Sequence, residues 1–352
     1  MAPDRSDAPK AERIDEVVRY TEERLSGKDT AAAEQFIRQY YARVPPQDVL
    51  DTPADALYAS AFALWKFGEQ RPPGAAKVRV LTPTIEEQGW TTSRSVVEVI
   101  NDDMPFLLDS MLLELGERGH GVQLIIHPVL RLRRGNAGEC LELAAGEASG
   151  DEFAAESWMH FEIDALSGGA MADLQARIER VLTDVRASVE DWQPILSKLG
   201  DAISELSAQR DAVEESELKE TCAFLEWIRD NHFTFLGYRE YTFHKSGKGA
   251  PFRSVDGSGL GILGEPDVHV LTGARSSSGK GGFLESVAAP IMITKTSGRS
   301  NVHRPGHMDY IGIKRFAKDG TLAGEHRFIG LFTSAAYMLP PMLPSISASW
   351  VS

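Results

Sequence analysis

The chain has 352 residues, of which 42% are hydrophobic and 25% charged, and its formal net charge is −14 at pH 7. This length predicts about two domains with cores of their own, because single domains commonly hold ~150 residues. The composition is that of a soluble globular protein and predicts no membrane crossing, and the negative charge argues against nucleic acid or an anionic membrane surface as the main partner.

The N-terminus and the cysteines bear on where the protein works. The first 20 residues are charged where a signal peptide needs an apolar core, so we expect a cytoplasmic protein. Cys140 and Cys222 lie far apart and lack the spacing of a metal or redox motif. We therefore expect two incidental thiols.

Residues 1–75 are predicted to form a helical layer. Apolar residues such as Phe36 and Tyr40 recur there at helical spacing, as they do again further along the segment. Two consecutive prolines, Pro72 and Pro73, cannot continue a helix and place a boundary after it.

Residues 76–193 are predicted to form a ferredoxin-like α/β sandwich. The apolar periods give the order strand, strand, helix, strand, strand, helix, with the segments Lys77–Thr82, Ser95–Asn101, a helix from near Pro105, Val122–Leu132, Ser157–Ile163 and Met171–Trp192. A ferredoxin-like sheet has a fourth strand after its second helix, and here helical sequence follows instead. We expect Lys77–Thr82 to take that place, antiparallel to the strand that follows it.

The remaining chain is predicted as connecting helices over residues 194–232, a β-rich domain over 233–337 and a tail over 338–352. A PAS-like sheet is one candidate for the β-rich domain, in which Lys318-Asp319-Gly320 forms a hairpin turn. The tail has no charged residue, and we expect either a disordered end or the end of a truncated or frame-shifted product. The overall fold class is α+β.

The turn after the second strand is the strongest candidate ligand site. It comprises Asn101, Asp102, Asp103, Pro105 and Phe106. In one interpretation Asp103 caps the following helix and Pro105 enters its first turn. In the other, exposed helix N–H groups receive the carboxylate of an amino acid. The structural interpretation is favoured.

Two glycine patterns imitate nucleotide sites. Gly259, Gly261 and Gly264 satisfy the dinucleotide pattern, but no apolar strand precedes them and no helix follows, so a turn-rich β connection is predicted. The segment Gly273–Lys280 imitates a phosphate loop with the wrong glycine spacing. No cofactor site is predicted in this chain.

A basic segment in the second half is a candidate anion or contact patch, made of Lys295, Arg299, His303 and Arg304. A metal site from His303, His307 and Asp309 was weighed and is not favoured, because Pro305 and Gly306 make the segment a turn. His127 and His160 are each predicted as satisfied core histidines within a strand. No catalytic residue is predicted, since no nucleophile elbow is present.

Several segments in order resemble the N-terminal part of the large bacterial NAD-specific glutamate dehydrogenases: VEVINDDMPFLLDSM, GHGVQLIIHPVLRLRR, ESWMHFEID, DNHFTFLGYREY, ITKTSGRSNVHRPGHMDYIGIKRF and EHRFIGLFTSAAY. The resemblance implies ACT-like and PAS-type domains that precede a separate catalytic domain. It also implies a large homo-oligomer that oxidises glutamate to 2-oxoglutarate and ammonium with NAD, and an amino-acid effector as a possible ligand.

Two departures from the family pattern qualify that resemblance. The amino-acid-binding ACT pattern has Gly after the Pro of the first turn, where this chain has Phe106, and the resemblance stops after Tyr337. We therefore expect the regulatory and assembly portion, inactive alone and lacking its catalytic portion. The alternative is a stand-alone ACT-like amino-acid sensor or protein-interaction module.

Overall fold

A computed structural model describes residues 7–25, 28–145, 150, 152–209, 213–243, 252–264 and 289–338. The chain divides into two compact units, Met1–Leu182 and Thr183–Ser352. It is a mixed α and β protein with two antiparallel sheets. No helix in the described ranges is long and apolar enough to cross a membrane.

The first unit begins with the predicted helices, which are α1 (Asp7–Arg24), α2 (Lys28–Tyr41), α3 (Pro46–Leu50) and α4 (Ala54–Gly68). Their apolar residues are buried as the helical spacing predicts, with Phe36 and Tyr40 at most 1% exposed. These side chains share one core with strand residues such as Ile100 and Trp158, so the helices cover one face of the first sheet.

The first sheet has six strands in the order β1-β2-β6-β4-β5, and β3 also pairs with β6. The strands are β1 (Lys77–Leu81), β2 (Ser95–Asp102), β3 (Val122–Ile126), β4 (Val129–Arg134), β5 (Cys140–Leu143) and β6 (Ala154–Ile163). The predicted antiparallel pair is confirmed, with Lys77 opposite Ile100 and Leu81 opposite Val96.

The predicted single strand Val122–Leu132 is wrong. The structure has two strands, because Pro128 has no N–H to donate and interrupts the ladder. His127 and Pro128 form the break between β3 and β4, so His127 does not lie within a strand.

Three helices complete the first unit. They are α5 (Ile85–Gln88), α6 (Leu107–Glu117) and α7 (Gly168–Glu190), and the division between the units falls within α7. The inward stripe predicted for α7 is confirmed, since Leu174, Ile178 and Val185 are at most 2% exposed.

The second unit pairs helices with the second sheet. The helices α8 (Trp192–Ser207) and α9 (Glu215–Trp227) come first. The strands that follow are β7 (Phe233–Phe243), β8 (Phe252–Ser254), β9 (Leu260–Gly261), β10 (Ile291–Arg299), β11 (His307–Phe316) and β12 (Leu322–Phe332). Helix α10 (Ser334–Met338) comes after β12. The sheet order is β10-β11-β12-β7-β8, and β9 pairs with β7. The predicted hairpin at Lys318–Gly320 is confirmed, because β11 and β12 pair antiparallel on either side of it. Residues of α8 and α9 share one core with this sheet.

Candidate functional site

The candidate turn lies where β2 ends, and its polar side chains are held by neighbouring strands and loops. Asn101 is buried, and its amide donates to the Asp102 carbonyl at 3.0 Å. The Asp102 Oδ1 lies 2.5 Å from the Arg71 Nη2. Arg71 comes from the segment that follows α4, so the turn is tied to the end of the helical layer.

The predicted capping role of Asp103 is wrong. Helix α6 begins at Leu107, and no side chain caps it. The Asp103 N–H donates to the Ala155 carbonyl at 2.9 Å, and its Oδ1 accepts the Ser157 hydroxyl at 2.6 Å. These two bonds hold Asp103 against β6. Pro105 precedes the helix and does not enter its first turn.

Phe106 occupies a backbone conformation that normally belongs to glycine. Its φ is 71°, in the left-handed region, and it stands directly before α6. A residue with a Cβ pays roughly 1–2 kcal/mol there. The amino-acid-binding ACT pattern has Gly at this position. Phe106 therefore adopts the backbone conformation of that glycine although it carries a side chain.

A matched pair of substitutions separates backbone strain from ring packing at this position. We expect Phe106→Gly to be more stable than Phe106→Ala by about 1 kcal/mol, because both remove the ring and only Gly relaxes the backbone. Urea denaturation of the two variants measures the difference. Equal stabilities would mean that the turn adopts another conformation.

A buried ionic cluster lies beside the turn. The Glu156 side chain is 1% exposed, and its Oε1 accepts from the Arg71 Nη2 at 2.9 Å and the Arg134 Nε at 2.5 Å. Its Oε2 accepts from the Arg134 Nη2 at 2.9 Å and the Trp158 indole at 3.1 Å. Burial opposes ionisation of Glu156, but Arg134 and Arg71 outweigh it and hold the pKa of this carboxyl below its usual value. With Asp102, two carboxylates balance two guanidinium groups.

The sequence alone did not predict this cluster. One feature of the sequence could have indicated the cluster: Glu156 is an acid at a core-facing position of an apolar strand. A buried carboxylate needs a basic partner. Nothing in the sequence identified Arg71 as that partner, because 85 residues separate the two.

A polar chain joins the turn to a cavity. The His127 Nε2 lies 3.0 Å from the Ser157 Oγ, which in turn bonds Asp103. His127 and Arg43 line a cavity of about 220 Å³ together with apolar residues of β3 and β4. Burial lowers the pKa of His127; the Asp103 charge opposes this and the Arg43 charge adds to it.

His160 is buried as predicted, at 1% exposure, but it is not satisfied. It lies opposite Glu98 across β2 and β6, and its Nδ1 is 3.4 Å from the Glu98 Oε1 without the alignment of a hydrogen bond. Glu98 also pairs with Arg79. Burial raises the pKa of Glu98, but His160 and Arg79 outweigh it and leave a net lowering.

The four residues of the predicted basic patch lie in the second unit around the connection between β10 and β11. Lys295 pairs with Asp309 at 2.7 Å, and the Arg304 guanidinium donates to the Phe332 carbonyl. Arg299 lies opposite His307 in the strand register, and His303 has a φ of 69° within the connection. At least two of the four side chains, Lys295 and Arg304, are therefore engaged in contacts within the chain.

The remaining features of the sequence are the glycine patterns, the candidate metal ligands and the two cysteines. Gly261 pairs with β7, and its N–H donates to the Asp191 carboxylate at 2.7 Å, in the turn-rich connection that was predicted. The segment 273–280 lies outside the described residues. Among the residues that are described, no three of His, Cys, Asp and Glu are grouped to hold a metal ion. Cys140 and Cys222 are free, and burial raises the pKa of Cys140 to about 11.

Comparison with known proteins identifies the first unit. Residues 36–178 match the family described as Glutamate dehydrogenase, ACT1 domain, a range that runs from α2 through the first sheet into α7. NAD-specific glutamate dehydrogenase of Halomonas elongata is 34% identical over 321 residues, or 90% of this chain and 20% of the relative. The Pseudomonas aeruginosa enzyme of the same name is 31% identical over 86% of this chain and 19% of its own length.

A more distant relative, NAD-specific glutamate dehydrogenase of Mycobacterium tuberculosis, is 24% identical over 71% of this chain and 15% of its own length. The chain thus spans about one fifth of the length of the Halomonas and Pseudomonas relatives. Over most of its length the chain is thus similar to NAD-specific glutamate dehydrogenases, and its residues 36–178 match the ACT1 domain of glutamate dehydrogenase.

Proposed function

We propose that this chain is the N-terminal regulatory and assembly part of an NAD-dependent glutamate dehydrogenase. The full enzyme would oxidise glutamate with NAD to 2-oxoglutarate, ammonium and NADH. By itself this chain would bind no NAD and catalyse no reaction. It would form a homo-oligomer and contact the catalytic portion of the enzyme.

The observation that carries this proposal is the architecture of the segment that matches the ACT1 domain. We infer a ferredoxin-like, ACT-like pattern in which β1 stands where the fourth strand belongs, because β1 lies antiparallel beside β2 and β6 lies on the other side of β2. For the second unit we infer a PAS-like sheet, in which the first strand β7 lies between β8 and β12.

The contacts of the candidate turn favour a structural role over effector binding. The Asp102 and Asp103 carboxylates already accept hydrogen bonds from Arg71 and Ser157. Phe106 adds a side chain where close approach of a ligand to the backbone needs Gly. We therefore propose that the turn works in packing and assembly.

Light scattering coupled to size-exclusion chromatography tests the assembly half of this proposal. The monomer mass is 38.6 kDa, and we expect a particle of at least twice that mass. A monomer at every concentration tested would contradict an assembly role for these residues.

A second candidate function is a stand-alone amino-acid sensor, and the cavity beside His127 favours it. Arg43 and His127 are groups that can hold a carboxylate there, next to the polar chain that leads to Asp103. A thermal-shift panel of amino acids decides between the two. Stabilisation by one amino acid that is lost in Arg43→Gln would support the sensor, and its absence favours the structural role.

A further inference from the structure

A second cavity, of about 200 Å³, lies within the first unit between the N-terminal helices and the sheet. Its inner wall is formed by Leu57 of α4, by Leu124 and Ile126 of β3, and by His160 of β6. Thr91 and Asp48 are exposed and mark its mouth. The cavity therefore has a solvent-facing rim and a lining of both apolar and polar side chains.

One polar side chain of this cavity is buried without a hydrogen bond. It is the indole Nε1 of Trp90, in a residue that is 7% exposed, whereas the Nδ1 of His160 faces Glu98 at 3.4 Å. Buried polar groups almost always have partners, so the unbonded indole on this cavity indicates a site for a polar ligand. Because the indole N–H can only donate, the ligand must offer an acceptor atom to Trp90.

The charges around the cavity favour a cation. Three carboxylates lie on or directly behind its wall, namely Asp48, Glu162 and Glu98, whereas two guanidinium groups pair with them, Arg94 with Glu162 and Arg79 with Glu98. The charge of Glu162 also acts on Tyr41. Burial is the main cause that raises the pKa of Tyr41, and Glu162 adds to it. An anionic ligand would meet this excess of negative charge.

We propose that this cavity binds a small amino compound with an oxygen acceptor. Its oxygen accepts from the Trp90 indole, its ammonium group lies toward Glu162 and Asp48, and its apolar part contacts Leu57 and Leu124. A cavity of ~150 Å³ accepts a benzene-sized molecule, so a ligand of roughly eight non-hydrogen atoms fits here. This site is distinct from the turn at Asn101–Phe106 and does not depend on the proposed function.

Four probes with matched carbon skeletons test the chemistry of the ligand. Leucinol carries both an ammonium and a hydroxyl group, 4-methylpentan-2-amine lacks the hydroxyl, isohexanol lacks the ammonium, and isocaproate carries a carboxylate instead of both. We expect leucinol to bind the full chain at least about tenfold more tightly than isohexanol in calorimetry, since a charge-assisted contact is strong. Isocaproate is expected not to bind at millimolar concentration.

The indole resonances of the protein locate the site. In ¹⁵N-edited spectra we expect leucinol to shift the N–H signal of Trp90 and to leave that of Trp158 unchanged, because the Trp158 indole is engaged with Glu156. Trp90→Phe assigns the signal and is expected to weaken leucinol binding about tenfold by removing the donor. Ala56→Leu, which adds bulk to the cavity lining, is expected to abolish binding while every polar group stays in place.

Several results would overturn this proposal. They are equal affinity for leucinol and isohexanol, no Trp90 shift with any probe at millimolar concentration, and unchanged leucinol binding in an Ala56→Leu variant whose circular dichroism matches that of the unaltered chain. A shift of Trp158 as large as that of Trp90 would likewise count against a local site.

Discussion

Replacing Glu156 by Gln is expected to destabilise the first unit by about 3–5 kcal/mol, the cost of breaking a buried ion pair by removing one partner. The Gln side chain keeps the shape but not the charge, so Arg134 stays buried after losing its carboxylate partner, and Arg71 keeps only Asp102. The Arg71 and Arg134 side chains are 3% and 9% exposed, and water cannot replace the carboxylate. The free energy of unfolding from urea denaturation measures this loss.

Glu142→Gln is the matched control. Glu142 pairs with Arg133 at 2.8 Å on the surface, where the two side chains are 53% and 38% exposed. We expect a change of at most about 0.5 kcal/mol, because exposed ion pairs contribute little. Similar costs for the two variants would mean that the Glu156 cluster is hydrated and not a buried network.

The same cluster predicts sensitivity to acid. The folded-state pKa of Glu156 lies below its ordinary value, so the unfolded chain binds the proton more readily than the folded one. The stabilisation is present above the unfolded-state pKa and is lost as the pH falls through the folded-state pKa. Denaturation below neutral pH should therefore show a smaller loss of stability in Glu156→Gln than in the unaltered chain.

Gly68→Ala is expected to cost about 3 kcal/mol or more. A Cβ at this position would overlap three ring atoms of Trp158, well inside van der Waals contact. Trp158 is fully buried and packs on Phe36 and Trp65, so neither the ring nor the end of α4 can move freely. Overpacking of this kind forces a backbone shift, which is why the cost exceeds that of an ordinary surface change.

Gly116→Ala, in the same unit, is expected not to lower the stability. A Cβ there meets no atom within 4 Å, and Gly116 lies within α6. Ala is the better helix former, so this variant should be between unchanged and about 1 kcal/mol more stable. Urea denaturation measures the free energy of unfolding of both alanine variants. Equal values would contradict the close contact between Gly68 of α4 and the Trp158 ring.

Hydrophobic period carried most of the fold prediction. The spacing of Phe36 and Tyr40 predicted a helix, and apolar runs predicted the strands around Val97 and Trp158. Both of these strands are buried on both faces over most of their length. Period alone did not show the break at Pro128, which depends on a missing backbone donor within an otherwise apolar run. It also did not show that α8 and α9 pack against the second sheet.

The candidate site was less predictable than the fold. Asp103 has the residue type and position of a helix cap, yet Ser157 and Ala155 hold it, and these lie more than 50 residues away in sequence. The pairing of Arg71 with Glu156 likewise depends on the strand order. Local sequence specifies backbone conformation, whereas partners across a sheet follow from the topology. The sequence therefore predicted a turn between β2 and α6, and it did not predict the contacts of that turn.

The catalytic competence of the isolated chain tests the central claim most directly. The purified 352-residue chain is incubated with glutamate and NAD, and NADH is followed by its absorbance. We expect no NADH above the background without protein, because the proposed role is regulatory and structural. NADH formation at a rate proportional to the amount of purified chain would contradict that account.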